Sequence, residues 1–239
     1  MDARPARLKT DFVVRSHLYN ETGRSVYIRG LRVWLGFAMA VPESATPAAP
    51  ARDRILGAAY ELFSRRGIRA VGTDEVIERA GVARATLYRH FATKNDLVLA
   101  VLQRREELWT YGLIEAHSRE LGNTPEEQLL AIFDVLHDWF QSRDGYEGCA
   151  FINVLLELGR DHPVGQACVA HIDHVRDVVR ERAVVAGLLE VEDFACSWHI
   201  LMKGAIIMAA VGDSEAAHRA QQMARVLIER HRPQSEAAG

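Results

Sequence analysis

The sequence predicts an all-α protein, a three-helix unit followed by a larger helical domain. Three observations carry this. From Arg52 onward apolar residues recur at the three- and four-residue spacing of one helix face. The periodic segments are punctuated by Gly, Pro and capping Thr, the residues that start and stop helices. No stretch after residue 50 alternates with the period of two that a half-buried strand requires, and none repeats. With 239 residues, 49% hydrophobic and 26% charged, the chain can bury a core in one large or two small domains.

Residues 1–50 stand apart. An apolar run from Val33 to Val41 with Ala38-Met39-Ala40 imitates an export signal. However, the roughly thirty residues before it carry Asp2, Asp11 and Glu21, which is wrong for the basic start of such a signal. The run is also far short of the about 20 residues that span a bilayer. The segment is read as a poorly ordered extension or, with Met39 as the native start, as upstream translation of residues 1–38.

Four segments follow in close succession. Ile55, Ala59, Leu62 and Phe63 form a stripe that stops at Gly67, and Val76, Ile77 and Ala80 mark a short helix closed by Gly81. Leu87 and Phe91 lie one turn apart on a third. Lys94 opens a long helix with Leu97, Val101 and Leu108 on one face and Val98, Leu102 and Trp109 beside them. Further on, Thr124-Pro125 with Glu127 makes a capping box with Pro at the first helical position, ahead of Leu129, Ile132, Phe133, Leu136 and Phe140. A helix over about 149–158 is followed by one opened by His162-Pro163, which carries Val164, Cys168, His171, Val175, Val178 and Val179 before Gly187. Residues 192–211 are apolar almost all round, as in a helix buried on several sides; Gly212-Asp213-Ser214 breaks it before a final helix with Ala220, Met223, Ala224 and Leu227. The resulting division is 51–98, 99–232 and a tail over 233–239.

Charge is unevenly spread. Net charge is −3, yet residues 51–100 hold nine Lys and Arg against six acids, whereas residues 101–239 hold thirteen against twenty-two. A polyanion would therefore meet the first unit. Three short helices within about forty residues, the last two joined by Gly81-Val82-Ala83, fit a helix-turn-helix. Ala83, Ala85 and Thr86 are small enough to enter a groove. Arg84 can reach guanine, Thr86 a thymine methyl or a phosphate, and Tyr88, His90 and Lys94 phosphate oxygens.

The stretch A-G-V-x-x-x-T-L-Y-x-H-F-x-x-K, at the end of residues 52–102, resembles the DNA-binding domain of TetR-family repressors. The resemblance implies that Ala85, Thr86 and Tyr88 face DNA, that Arg84 occupies the variable reading position, and that His90 and Lys94 contact the backbone. Two positions depart from the family pattern. Ala83 stands where Ser or Thr is common, so the third helix lacks a side-chain cap; Gly72 stands where Thr is common, with Thr73 one residue late, which leaves Thr73 and its phosphate contact open. The resemblance further implies a helical ligand-binding and dimerisation domain. The function expected is a cytoplasmic, homodimeric repressor, released from a palindromic double-stranded DNA operator by a small-molecule effector. Dimerisation is expected through helices about 192–211 and 214–231, with Ala205, Ala209, Ala220 and Ala224 allowing close approach. The alternatives are an activator without effector and a helical enzyme or carrier with a vestigial motif.

Trp109, His137, Phe140, Phe151, His171, Trp198 and Met202 are the candidates for an effector wall, aromatic residues with sparse polar groups being typical of such cavities. Cys168, His171 and His174 have the spacing of a soft-metal cluster, but His171 shares an apolar stripe with Cys168 and Val175, so a hydrogen-bonded core histidine is preferred and neither metal nor cofactor is assigned. Cys149, Cys168 and Cys196 form no CxxC and read as small hydrophobes in a reducing compartment, a redox-sensing thiol being the alternative. No nucleophile elbow, zinc-protease, P-loop or dinucleotide motif appears, and no enzyme activity is assigned.

Overall fold

The computed structural model describes residues 49–141 and 148–234, together with the backbone of two short strands, β1 (Leu18–Tyr19) and β2 (Ser25–Val26), which pair antiparallel. The expectations for the Met39 start and the apolar run lie outside the described residues. Everything else described is helical or connecting. Helices α1 (Ala51–Arg66), α2 (Thr73–Ala80) and α3 (Arg84–His90) form the first unit. The remaining helices are α4 (Lys94–Glu106), α5 (Ser118–Leu121), α6 (Pro125–Phe140), α7 (Ala150–Leu158), α8 (Pro163–Val185), α9 (Val191–Ala210) and α10 (Ala216–His231).

The local signals act where they were expected. Thr124 Oγ1 accepts from the Glu127 amide at 3.2 Å while Glu127 returns its carboxylate to the Thr124 amide, closing the capping box over Pro125. His162 caps α8 with Nδ1, which accepts from the Val164 amide at 3.2 Å. Ile55, Phe63, Val76, Leu87 and Phe91 are buried together, and the core continues through Leu97, Val98, Val101 and Leu102 of α4 into α6, α8 and α9. The boundary expected after residue 98 thus falls inside α4, which belongs to both packing units.

Two features of the larger domain were not anticipated. The long helix from Lys94 passes at Glu107–His117 into π-helical turns before α5. A buried guanidinium ties the end of these turns to the first turn of α6. Arg182 of α8, 4% exposed, donates to the carbonyls of Glu115 (2.6 Å) and Gln128 (3.0 Å) and to Ser118 Oγ (2.6 Å). Burial pushes its pKa down to about 10, still charged at neutral pH.

The second concerns α9 and α10. Ala205, Ala220 and Ala224 face inward, at 6% exposure or less, and not toward a partner surface. Small residues there let α9 and α10 pack closely within one chain. The outward face is made of larger residues, Ile200, Ile207 and Met208 on α9 and Val211 just past its end, with Met223 and Val226 on α10. An almost uniformly apolar helix shows no stripe from which its inner and outer faces could be told apart.

Candidate nucleic-acid interface and effector region

The interface is framed by the turns that start and end α2. The Gly72 amide donates to Glu75 Oε1 at 3.0 Å, so α2 starts without a side-chain cap, and this hydrogen bond, with the neighbouring Arg66 guanidinium, holds the Glu75 carboxyl below its usual range. Gly81 ends α2 at φ +60°, the left-handed region, and the Val82 amide then donates to the Ile77 carbonyl at 3.3 Å. This turn sets α3 with Leu87 and Phe91 inward, while Arg84, Ala85, Tyr88 and His90 are exposed and Thr86 is half-buried. Ala83 caps α3 with backbone alone.

The outward side chains are held by short polar contacts. Arg84 Nη2 lies 2.6 Å from Asp74 Oδ1, a hydrogen-bonded pair that raises the guanidinium pKa. Thr73 Oγ1 is 3.3 Å from the Tyr88 hydroxyl, so Thr73 joins the same surface as α3. Lys94 behaves differently. It is half-buried, its ammonium donates to the Ile68 carbonyl and stands 6.0 Å from the centre of the Phe63 ring. In this state it ties α4 to the loop between α1 and α2 and does not stand free.

That loop is also gripped from the larger domain. Glu157 of α7 accepts from the amides of Ile68 (2.9 Å) and Arg69 (2.6 Å). The neighbouring Gly67, at φ +80°, leaves room for this carboxylate, which a Cβ would meet at 3.0 Å. Arg104 of α4 pairs with Asp53 of α1 at 3.2 Å, and the Arg105 guanidinium lies over both Tyr60 and Trp139. The two units are therefore joined by α4 and by one carboxylate that reading the sequence did not single out. The available signal was slight: Glu157 is the one charged residue of α7.

The seven effector-wall candidates fall into separate places. Phe151 stacks on His171 with centroids 3.2 Å apart, His171 Nε2 meets Thr110 Oγ1 at 3.2 Å, and Trp109 packs edge-on to Trp139 at 5.3 Å beneath the Lys203 ammonium. Trp198 and Met202 are wholly buried, Trp198 between Phe133 and Phe194. Phe140 lies against Trp139, whereas His137 turns away to stack on His218 of α10. Trp109, Phe151 and His171 thus share one region with Glu106, Thr110 and Lys203.

His171 and His174 converge on Glu106 and form no ligand set with Cys168. Glu106 Oε1 is 2.6 Å from His174 Nδ1 and 2.9 Å from His171 Nδ1, the latter too far out of line for a hydrogen bond. Burial lowers the His171 pKa to about 4 and that of His199 to about 3, so both rings are neutral at pH 7. His199 has no hydrogen-bond partner on either buried nitrogen. Burial also pushes the Cys168 thiol up to about 12, which makes it an unreactive hydrophobe; Cys149 is buried with Lys203 Nζ 3.8 Å from its sulfur, and Cys196 is exposed.

Comparison with known proteins places these features in context. A family model described as bacterial regulatory proteins, tetR family, matches residues 55–101. The HTH-type transcriptional activator FasR of Mycolicibacterium smegmatis is 32% identical over 158 residues, covering 62% of this chain and 71% of that protein. The HTH-type transcriptional regulator QacR of Staphylococcus aureus is 40% identical over 58 residues, 24% of this chain and 31% of that one. Among solved structures, a TetR-family transcriptional regulator from Streptomyces coelicolor superposes with a TM-score of 0.70 at 29% identity, covering 77% of this chain and 96% of that chain.

Proposed function

We propose, from the premise that this chain belongs to the tetR family of bacterial regulatory proteins and is a DNA-binding transcriptional regulator rather than an enzyme, that it is a homodimeric repressor released from a palindromic operator by a small-molecule effector. The observation that carries the reading is the division of α3 by face. Leu87 and Phe91 anchor it, leaving Arg84, Ala85, Thr86 and Tyr88 outward beside Thr73. Two such helices, one per protomer, would enter successive major grooves at a spacing set by the dimer. The apolar outer face of α9 and α10 is the surface offered to a second copy. No described helix is long and apolar enough to cross a membrane. The expected place of work is the cytoplasm, where the DNA is.

The effector would enter beside Trp109, Phe151 and His171, where Glu106, Thr110, His199 and Lys203 supply polar groups in an aromatic setting. The path outward is short. Phe151 and Glu157 share α7, so displacing Phe151 from His171 moves the helix whose carboxylate holds Ile68 and Arg69. An effector acts only through its preference for one arrangement over the other.

Activation in place of repression is the second reading, favoured because the relative that shares 158 aligned residues bears the name of an activator. A gel shift on DNA flanking the protein's own gene tests the premise. Binding should be salt-dependent and prefer one palindrome, and Arg84→Ala should relax base preference at a cost of about 1–3 kcal/mol. No preference for any palindrome defeats the reading. Transcription from that promoter in a deletion strain separates the two modes, rising for a repressor and falling for an activator.

A further inference from the structure

The end of α6 and the start of α10 bring together three side chains that the reading of the DNA-binding and effector regions does not use. His137 of α6, Glu215 at the cap of α10 and His218 in its first turn each present a ligand-type atom, and these atoms all lie within 4.8 Å of one another. We propose that His137, Glu215 and His218 form a binding site for a divalent transition-metal ion of the zinc type, which would clamp α6 to α10.

The donor set selects the ion class. Two imidazoles and one carboxylate suit Zn²⁺ and its neighbours in the first transition row, whereas Mg²⁺ and Ca²⁺ require mostly oxygen. Three protein ligands leave a fourth position for water or another donor. The spacing is near what the ion needs. His218 Nδ1 is 3.0 Å from Glu215 Oε2, against an edge of roughly 3.3 Å for a tetrahedron with bonds of about 2.0–2.1 Å. The imidazoles of His137 and His218 are stacked with centroids 3.9 Å apart and planes 21° from parallel, so the two rings are neighbours and must turn out of the stack for a nitrogen of each to face one ion.

An unsatisfied group marks the same place. His137 Nδ1 is buried with no hydrogen-bond partner, although its ring is only half-covered and sits beside a carboxylate. The surroundings hold the ligands still. Gln221 of α10 donates to the Leu130 carbonyl at 3.0 Å and to Asp134 Oδ1 at 2.8 Å, one turn from His137 and His218. Gln141 donates to the Ser214 carbonyl at 3.2 Å, and Asp213 accepts from both the Glu215 amide and Arg219, fixing the turn that carries Glu215. His137 and His218 lie far apart in the chain, so no sequence spacing announces the pair.

The test is zinc binding by the full chain after chelator treatment, measured by competition with a chromophoric chelator. One Zn²⁺ per chain is expected. His137→Gln, His218→Gln and Glu215→Gln should each weaken binding tenfold or more, and Glu106→Gln, in the other His-carboxylate cluster, should leave it unchanged. Co²⁺ substitution should give the intense visible absorption of a four- or five-coordinate ion, lost in the same three variants. Circular dichroism verifies folding; should His137→Gln fail to fold, the exposed Glu215→Gln and the half-exposed His218→Gln decide. Failure of wild-type protein to bind zinc saturably overturns the site, as does zinc binding that Glu215→Gln and His218→Gln leave unaltered.

Discussion

Replacing Glu157 by Ala removes a single carboxylate and with it two charge-assisted hydrogen bonds to backbone amides, at 2.9 Å from Ile68 and 2.6 Å from Arg69. In a dry interior each such bond contributes about 1.5–3 kcal/mol. Here the Arg69 end is exposed, water can replace the lost acceptor, and solvent screens the charge, so the combined loss should be about 1–2 kcal/mol. That corresponds to a roughly 5- to 30-fold rise in local opening of the loop between α1 and α2. Amide hydrogen exchange reads this directly: Ile68 and Arg69 should lose protection by that factor, while amides in the middle of α6 and α8 keep theirs. If α7 transmits the effector signal, Glu157→Ala should also shrink the difference in operator affinity with and without effector. Gly67→Ala offers an independent route to the same state, because a Cβ there strains a backbone at φ +80° and meets the carboxylate at 3.0 Å. Unchanged protection at both amides in Glu157→Ala would refute the assignment of this carboxylate as the tie between the units.

Other expectations follow from the same geometry. Lys94→Ala should lower affinity for all DNA sequences alike, and because Lys94 also holds the Ile68 carbonyl, it should loosen the same loop in exchange measurements. Arg182→Met leaves the carbonyls of Glu115 and Gln128 and the Ser118 hydroxyl without their donor; we expect a loss of about 2–4 kcal/mol and a fall in melting temperature of roughly 5–15 °C by calorimetry. The stability should decline in mild acid. His171 and His199 have folded pKa values of about 4 and about 3, below the unfolded value near 6.5, so between those limits the unfolded chain binds the protons that the folded one refuses. Their contribution is complete above about pH 6.5 and falls as pH drops, by up to about 4 kcal/mol for the two at pH 5; denaturant melts at pH 7 and pH 5 measure it. Ile207→Glu together with Val226→Glu should give a folded monomer by sedimentation, whereas a persistent dimer would move the partner surface elsewhere.

The helix-turn-helix was legible because its determinants are local. Gly81 supplies a left-handed turn, Leu87 and Phe91 define an inner face one turn apart, and the charged and hydroxyl residues between them can only point outward. The same reasoning located the capping box at Thr124 and the helix start at His162-Pro163. It failed on α9, where apolar residues on every side concealed which face the alanines occupy. Arg182 was within reach, since it interrupts the buried stripe of Val175, Val178, Val179 and Ala183, and a charge in such a stripe requires partners. The effector candidates were chosen as an aromatic wall with sparse polar groups, and residue type does not distinguish Trp198 in a dry core from Trp109 beside Lys203.

Sequence by itself determined the helices, their caps and the outward chemistry of α3, because each depends on residues within a turn or two of one another. Tertiary structure decided which polar groups meet: Glu157 with the Ile68 and Arg69 amides, Arg182 with the carbonyls around the π-helical turns, and His137 with Glu215 and His218. The reason is physical. A helical period reports only that a side chain faces in or out, whereas a hydrogen bond or a ligand set depends on distances between helices, and those are set when the core packs.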